Sequence, residues 1–168
     1  MKGWTERMFD LVATFEEEAK RTTPNIPHAV ISITSEDREV DFPPNPYRKA
    51  LLRLRFHDEE RPRSNYITMS SLDAARVWSL VQKVQGEIGL LIIHCLAGFS
   101  RSPAIAAAID EVLEIYDDNR WFMNYSPNRH VYRTMLNTYH FYDEAIEGLK
   151  KKGINLEEYG IVHPLFLK

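Results

Sequence analysis

Residues 94–102 read His-Cys-Leu-Ala-Gly-Phe-Ser-Arg-Ser, and two of them could do covalent chemistry. Cys95 and Arg101 stand with five residues between them. An apolar run, Leu90 to Ile93, precedes the cysteine, and a helical pattern from Pro103 to Tyr116 follows the arginine. The spacing predicts a thiol on a tight turn between a buried strand and a helix start. Such a turn can aim successive backbone N–H groups at one point, and the helix dipole adds positive potential there. The amides of Leu96, Ala97, Gly98, Phe99 and Ser100 would line that nest, with Gly98 free to take backbone angles closed to other residues. Arg101 offers a planar fork suited to two phosphate oxygens. A cation at a helix N-terminus opposes the dipole, so it calls for an anion beside it. The same positive field favours the thiolate, the nucleophilic form. An anion nest with a nucleophile at its floor is equipped for covalent phosphoryl transfer. Without these neighbours, a single cysteine is more often a packed core residue.

The string resembles the signature loop of the cysteine-based protein tyrosine phosphatase superfamily, in the H-C-x-A-G-x-S-R-S form of compact dual-specificity members. His94, Cys95, Ala97, Gly98, Ser100, Arg101 and Ser102 match it position by position. The resemblance implies a metal-independent phosphomonoester hydrolase with no cofactor. By that likeness Cys95 attacks phosphorus, and Arg101 holds the phosphoryl group. Ser102 places a hydroxyl near the sulfur, with helix capping as its plain alternative. His94 orders the loop by hydrogen bonding and transfers no proton. The family takes its leaving-group proton from an aspartate on a separate upstream loop. Asp58, 37 residues before Cys95 and just after a strand, is the best match. That gap is slightly longer than compact members have, which keeps Glu59 and Glu60 open as competitors. Asp73 suits a capping box better, and Asp110 falls inside a helix. His57, Arg61 and Arg63 flank the acid, as substrate contacts or as solubilising residues. Asn128 and Arg129 read as polar residues of a helix start that could also reach the pocket.

The implied partner is a phosphorylated protein or peptide, carrying phosphotyrosine with or without phosphoserine and phosphothreonine. Lipid-directed relatives carry basic residues inside the loop, where this chain has Leu96 and Phe99; RNA-directed relatives have asparagine before the arginine, where this chain has Ser100. A phosphoinositide or small phosphate ester is the alternative substrate class. A phosphate-binding module without turnover is the alternative of another kind, against which Cys95, Arg101 and Asp58 together argue.

Composition agrees with this reading. The net charge of −3 implies no broad basic surface for nucleic acid or anionic lipid. One cysteine excludes an internal disulfide and a multi-cysteine metal cage. Lys2, Glu6, Arg7 and Asp10 make the start unlike a signal peptide, and no run reaches the roughly 18 apolar residues of a membrane span. The expectation is a cytoplasmic protein without membrane association; oligomeric state is left open.

The elements that must position these residues follow from periodicity. Trp4, Met8, Leu11, Phe15 and Ala19 recur at helical spacing and predict a first helix. Ala29 to Ile33 predicts a strand. Asp41 to Tyr47 is a proline-rich loop. Leu52, Leu54 and Phe56 alternate with Arg53 and Arg55 as a strand with one buried face. Ser70 to Asp73 predicts a capping box opening a helix with Ala74, Val77, Val81, Val84 and Ile88 inward. The helix after the signature loop ends at Asp117 to Asn119. Ser126-Pro127 predicts the start of one long last helix through Val131, Met135, Tyr139, Tyr142, Ile146 and Leu149. A short helical turn near Leu156 is expected in the tail. Alternating strands and helices argue an α/β fold: a single domain over 1–168, with a mainly parallel central sheet flanked by helices on both faces. That arrangement is also what the family likeness implies.

Overall fold

A strand buried on both faces needs apolar side chains on both, and Leu90–Cys95 meets that demand as the central β4. Leu91, Ile93 and Cys95 join the larger core, while Ile92 joins a smaller one on the opposite face. The computed structural model describes residues 8–167. The other strands are β1 (Asp10–Phe15), β2 (His28–Thr34) and β3 (Arg48–Arg55). They form one four-stranded sheet in the order β1-β4-β2-β3, and every pair is parallel. β3 is an edge strand carrying Arg48, Lys49, Arg53 and Arg55, whose charges discourage pairing with another chain.

The helices are α1 (Glu16–Arg21), α2 (Ser71–Val84), α3 (Arg101–Leu113), α4 (Arg120–Asn124), α5 (Arg129–His140) and α6 (Tyr142–Lys151). The larger core lies under α2, α3, α5 and α6, with Trp78 fully buried and its indole N–H donating to the Met135 carbonyl at 2.8 Å. The opposite face is covered by Ala19 of α1 and by Val40 and Phe42 of the loop before β3. Helices therefore cover both faces, unequally. The capping box forms as expected: Ser70 Oγ accepts from the Asp73 N–H, and the Asp73 carboxylate accepts from the Ser70 N–H.

Four expectations are corrected. Leu11 and Phe15 lie in a strand, not a helix. Leu11 and Ala13 face inward with period two, and β1 pairs with β4 from Asp10↔Leu90 to Phe15↔Cys95. Trp4 lies outside the described residues. The glutamates at 16, 17 and 18 then suit the first turn of α1. The helix after the signature loop stops at Leu113, where Glu114 turns left-handed at φ 52°. Tyr116 leaves it to accept from the Leu11 N–H at 2.9 Å, protecting the free edge of β1. α4 follows, between that expected helix end and Ser126, where no element was expected. The last helix is two: Phe141, at φ −119° and ψ 45°, separates α5 from α6. Its start is also later, because Asn128 rather than Ser126 caps α5 through its side-chain oxygen and the Val131 N–H.

Candidate active site

The parallel sheet brings the C-terminal ends of β2 and β4 together, and the signature loop leaves from that edge. Residues 96–100 run from Cys95 at the end of β4 to Arg101 at the start of α3. The loop is fixed from outside by its carbonyls. Leu96 O accepts from the Glu16 N–H, Phe99 O from the Ser126 N–H, and Ser100 O from the Asn128 N–H. In a planar trans peptide the next N–H points the opposite way. The amides of Ala97, Ser100 and Arg101 are thus turned away from the scaffold. Gly98 sits at φ +69°, and a Cβ there would lie 2.4 Å from the Phe15 nitrogen and the Thr14 carbonyl carbon. Only glycine fits this approach to the end of β1.

Cys95 is buried, and its Sγ lies 3.2 Å from Ser102 Oγ. Burial alone would suit a core thiol; the hydroxyl partner and the surrounding loop are what distinguish it. His94 is fully buried with Nε2 2.7 Å from Ser32 Oγ, which ties the loop's entry to β2. Burial pushes the His94 imidazole below its ordinary value and keeps it neutral.

Arg101 is also buried. Its Nη1 donates to Ser35 Oγ at 2.7 Å and to the Phe56 carbonyl at 2.8 Å. These contacts fix the plane of the guanidinium, while Nε is buried without a hydrogen-bond partner. A buried unpartnered donor on a fixed cation fits an anion that completes it.

Asp58 reaches the loop from the segment after β3. Its Oδ1 accepts from Ser100 Oγ at 2.7 Å and from Asn128 Nδ2 at 2.7 Å. Ser100 stands at the N-cap of α3 yet makes no side-chain cap, because its hydroxyl is turned to Asp58. The neighbouring acids are engaged elsewhere. Glu59 lies 3.4 Å from Arg63, and Glu60 accepts from the Arg129 N–H at 3.0 Å. Asp110 receives the Tyr116 N–H and the Trp121 indole N–H, and burial raises its carboxyl above the ordinary value. His57 accepts from the Ile67 N–H at 2.9 Å and packs on Tyr66, over which Arg63 also lies. These contacts hold the acidic loop together.

Sequence reasoning missed Ser32, Ser35, and the buried Glu16 gripped by Arg38 at 2.9 and 2.7 Å. Ser35 and Glu16 had as their only signal a position just beyond a strand of the parallel sheet, and Ser32 is a polar residue inside β2. It also placed Asn128 at a helix start without foreseeing its bond to Asp58. No group of three or more His, Cys, Asp or Glu side chains among the described residues could hold a metal ion. None of the helices among them is long and apolar enough to cross a membrane.

No family model matches the chain, and no curated protein matches it. It is similar to the solved structure of human DUSP28, at 16% sequence identity over 84% of this chain and 94% of that one, with a TM-score of 0.44. A single-substitution variant of the same human protein gives 16% identity over 87% of this chain and 94% of that one, with a TM-score of 0.45.

Proposed function

We propose that this chain is a metal-independent phosphomonoester hydrolase that works through a cysteinyl-phosphate intermediate. The observation that carries the reading is Asp58. From 42 residues away its carboxyl is fastened to Ser100, inside the loop that holds Cys95 and Arg101. Nucleophile, anion holder and acid then meet at one end of the sheet.

In the first step Cys95 Sγ forms a bond to phosphorus as the ester P–O bond breaks, and Asp58 gives its proton to the leaving oxygen. The guanidinium of Arg101 and the loop amides of Leu96, Ala97, Gly98, Phe99 and Ser100 face the charge that spreads over the phosphoryl oxygens. In the second step water attacks phosphorus, Asp58 takes its proton, and the P–S bond breaks. Ser102, 3.2 Å from the sulfur, stabilises the departing thiolate. Leu96 and Phe99 are exposed on the signature loop, apolar surface that suits the ring of phosphotyrosine in a protein or peptide.

The test is hydrolysis of a phosphotyrosine peptide in the presence of a chelator. Wild type turns over and is inhibited by vanadate. Cys95→Ser loses at least about a thousandfold in kcat while still binding inorganic phosphate, because the nest remains. Activity within about tenfold of wild type, or a requirement for added divalent metal, overturns the proposal.

A further inference from the structure

Asn128 is 1% exposed and joins three segments. Its backbone N–H donates to the Ser100 carbonyl at 3.0 Å. Its side-chain oxygen accepts the Val131 N–H at 3.0 Å, capping α5. Its Nδ2 donates to Asp58 Oδ1 at 2.7 Å. The amide's orientation follows from this network. A backbone N–H can only donate, so the oxygen must face Val131, and the NH2 is left for Asp58.

Two donors, Ser100 Oγ and Asn128 Nδ2, converge on the same carboxylate oxygen. An oxygen accepting two hydrogen bonds is the poorer place for a proton. When Asp58 is the acid, its proton therefore sits on Oδ2. We propose that Asn128 is a positioning residue, which holds the Asp58 carboxyl over the signature loop and confines its transferable proton to Oδ2. The inference rests on Asp58 being the general acid. It goes further in giving the start of α5 a part in the proton transfer.

A helix cap is the plain role for this residue, and substitution can separate the two. Serine caps a helix about as well as asparagine, but is too short to cap Val131 and also reach Asp58. Threonine also caps a helix and is equally short. The measurement is kcat/KM, which reports the first chemical step, on phenyl phosphate and on 2,4-dinitrophenyl phosphate. The first leaving group needs a proton and the second departs without one.

Asn128→Ser and Asn128→Thr are expected to lose about tenfold or more on phenyl phosphate and to stay within about threefold of wild type on the dinitrophenyl ester. Thermal unfolding checks that the cap survives. If a variant folds poorly, the ratio of the two kcat/KM values still reads positioning, since loss of folded enzyme scales both alike. Equal losses on both esters, or no loss on either, overturn the proposal. Asp58→Asn is run alongside. If it shows the selective loss and both Asn128 variants do not, the positioning role alone falls. If Asp58→Asn shows no selectivity, the acid is misassigned and the proposal falls with it. A wild type inert on both esters removes the hydrolase reading itself.

Discussion

Three acidic side chains in a row, Asp58, Glu59 and Glu60, offer the same chemistry, and geometry separates them. Asp58 is bonded to the signature loop, Glu59 lies beside Arg63, and Glu60 receives the first N–H of α5. A proton donor matters most when the leaving group is poor. Asp58→Asn is therefore expected to lower kcat/KM on a phosphotyrosine peptide by about a hundredfold or more, and on an activated aryl phosphate far less. Glu59→Gln and Glu60→Gln are expected to leave the ratio between the two substrates nearly unchanged. A selective loss in either glutamine variant, absent from Asp58→Asn, would move the acid by one or two positions. The nucleophile would stand, since Cys95 and Arg101 are assigned from the signature loop and not from the choice among these three acids.

At the scale of the element, the signature loop depends on β1 as much as on its own strand. Gly98 combines φ +69° with backbone atoms of Thr14 and Phe15 that a Cβ would meet at 2.4 Å. Those atoms belong to a paired strand and a helix start, not to a side chain that could swing aside. Gly98→Ala must shift the loop or part it from β1. The expected outcome is a loss of at least about a hundredfold in kcat/KM on every substrate, good and poor leaving groups alike, with a lower Tm. Uniform loss marks damage to the phosphate nest, whereas selective loss marks damage to the acid. An alanine variant with wild-type kinetics would mean that the left-handed turn is dispensable.

Across the whole molecule, an ion pair ties α1 to the loop before β3. Arg38 hydrogen-bonds Glu16 through both guanidinium ends and holds its carboxyl below the ordinary value of about 4.5. A depressed carboxylate stabilises the fold above its unfolded value, and that contribution fades as pH falls through the folded one. Arg38 is 39% exposed on its side chain, so screening keeps the pair to about 1 kcal/mol. Glu16→Gln is expected to unfold about 2–4 °C below wild type at pH 7. The gap should narrow toward zero as pH drops below about 4.5. His94, whose pKa burial lowers, also destabilises the fold on acidification, and because the Glu16 charge opposes that lowering, part of the pH dependence of the gap runs through His94. A gap that is constant from pH 7 to pH 3 would show that the ion pair contributes nothing.

The sequence by itself determined what was local. Residues 94–102 form a contiguous string whose types, order and flanking periodicities need no distant partner to be read. The capping box at Ser70–Asp73 is legible for the same reason, and so is the central strand that carries Cys95. Tertiary structure decided everything that depends on which segments meet. Whether Leu11–Phe15 is strand or helix turned on pairing with β4, because Val12 is apolar yet faces outward and blurs the period of two. The break at Phe141 has neither glycine nor proline to announce it. Asp58 stood out from Glu59 and Glu60 only once Ser100 and Asn128 were seen to hold it. Ser35 became the anchor of Arg101 only when the parallel sheet set the end of β2 beside the end of β4. Covalent neighbours dictate a turn and its amides, but the partners of a buried charge are chosen by the fold that excludes water from around it.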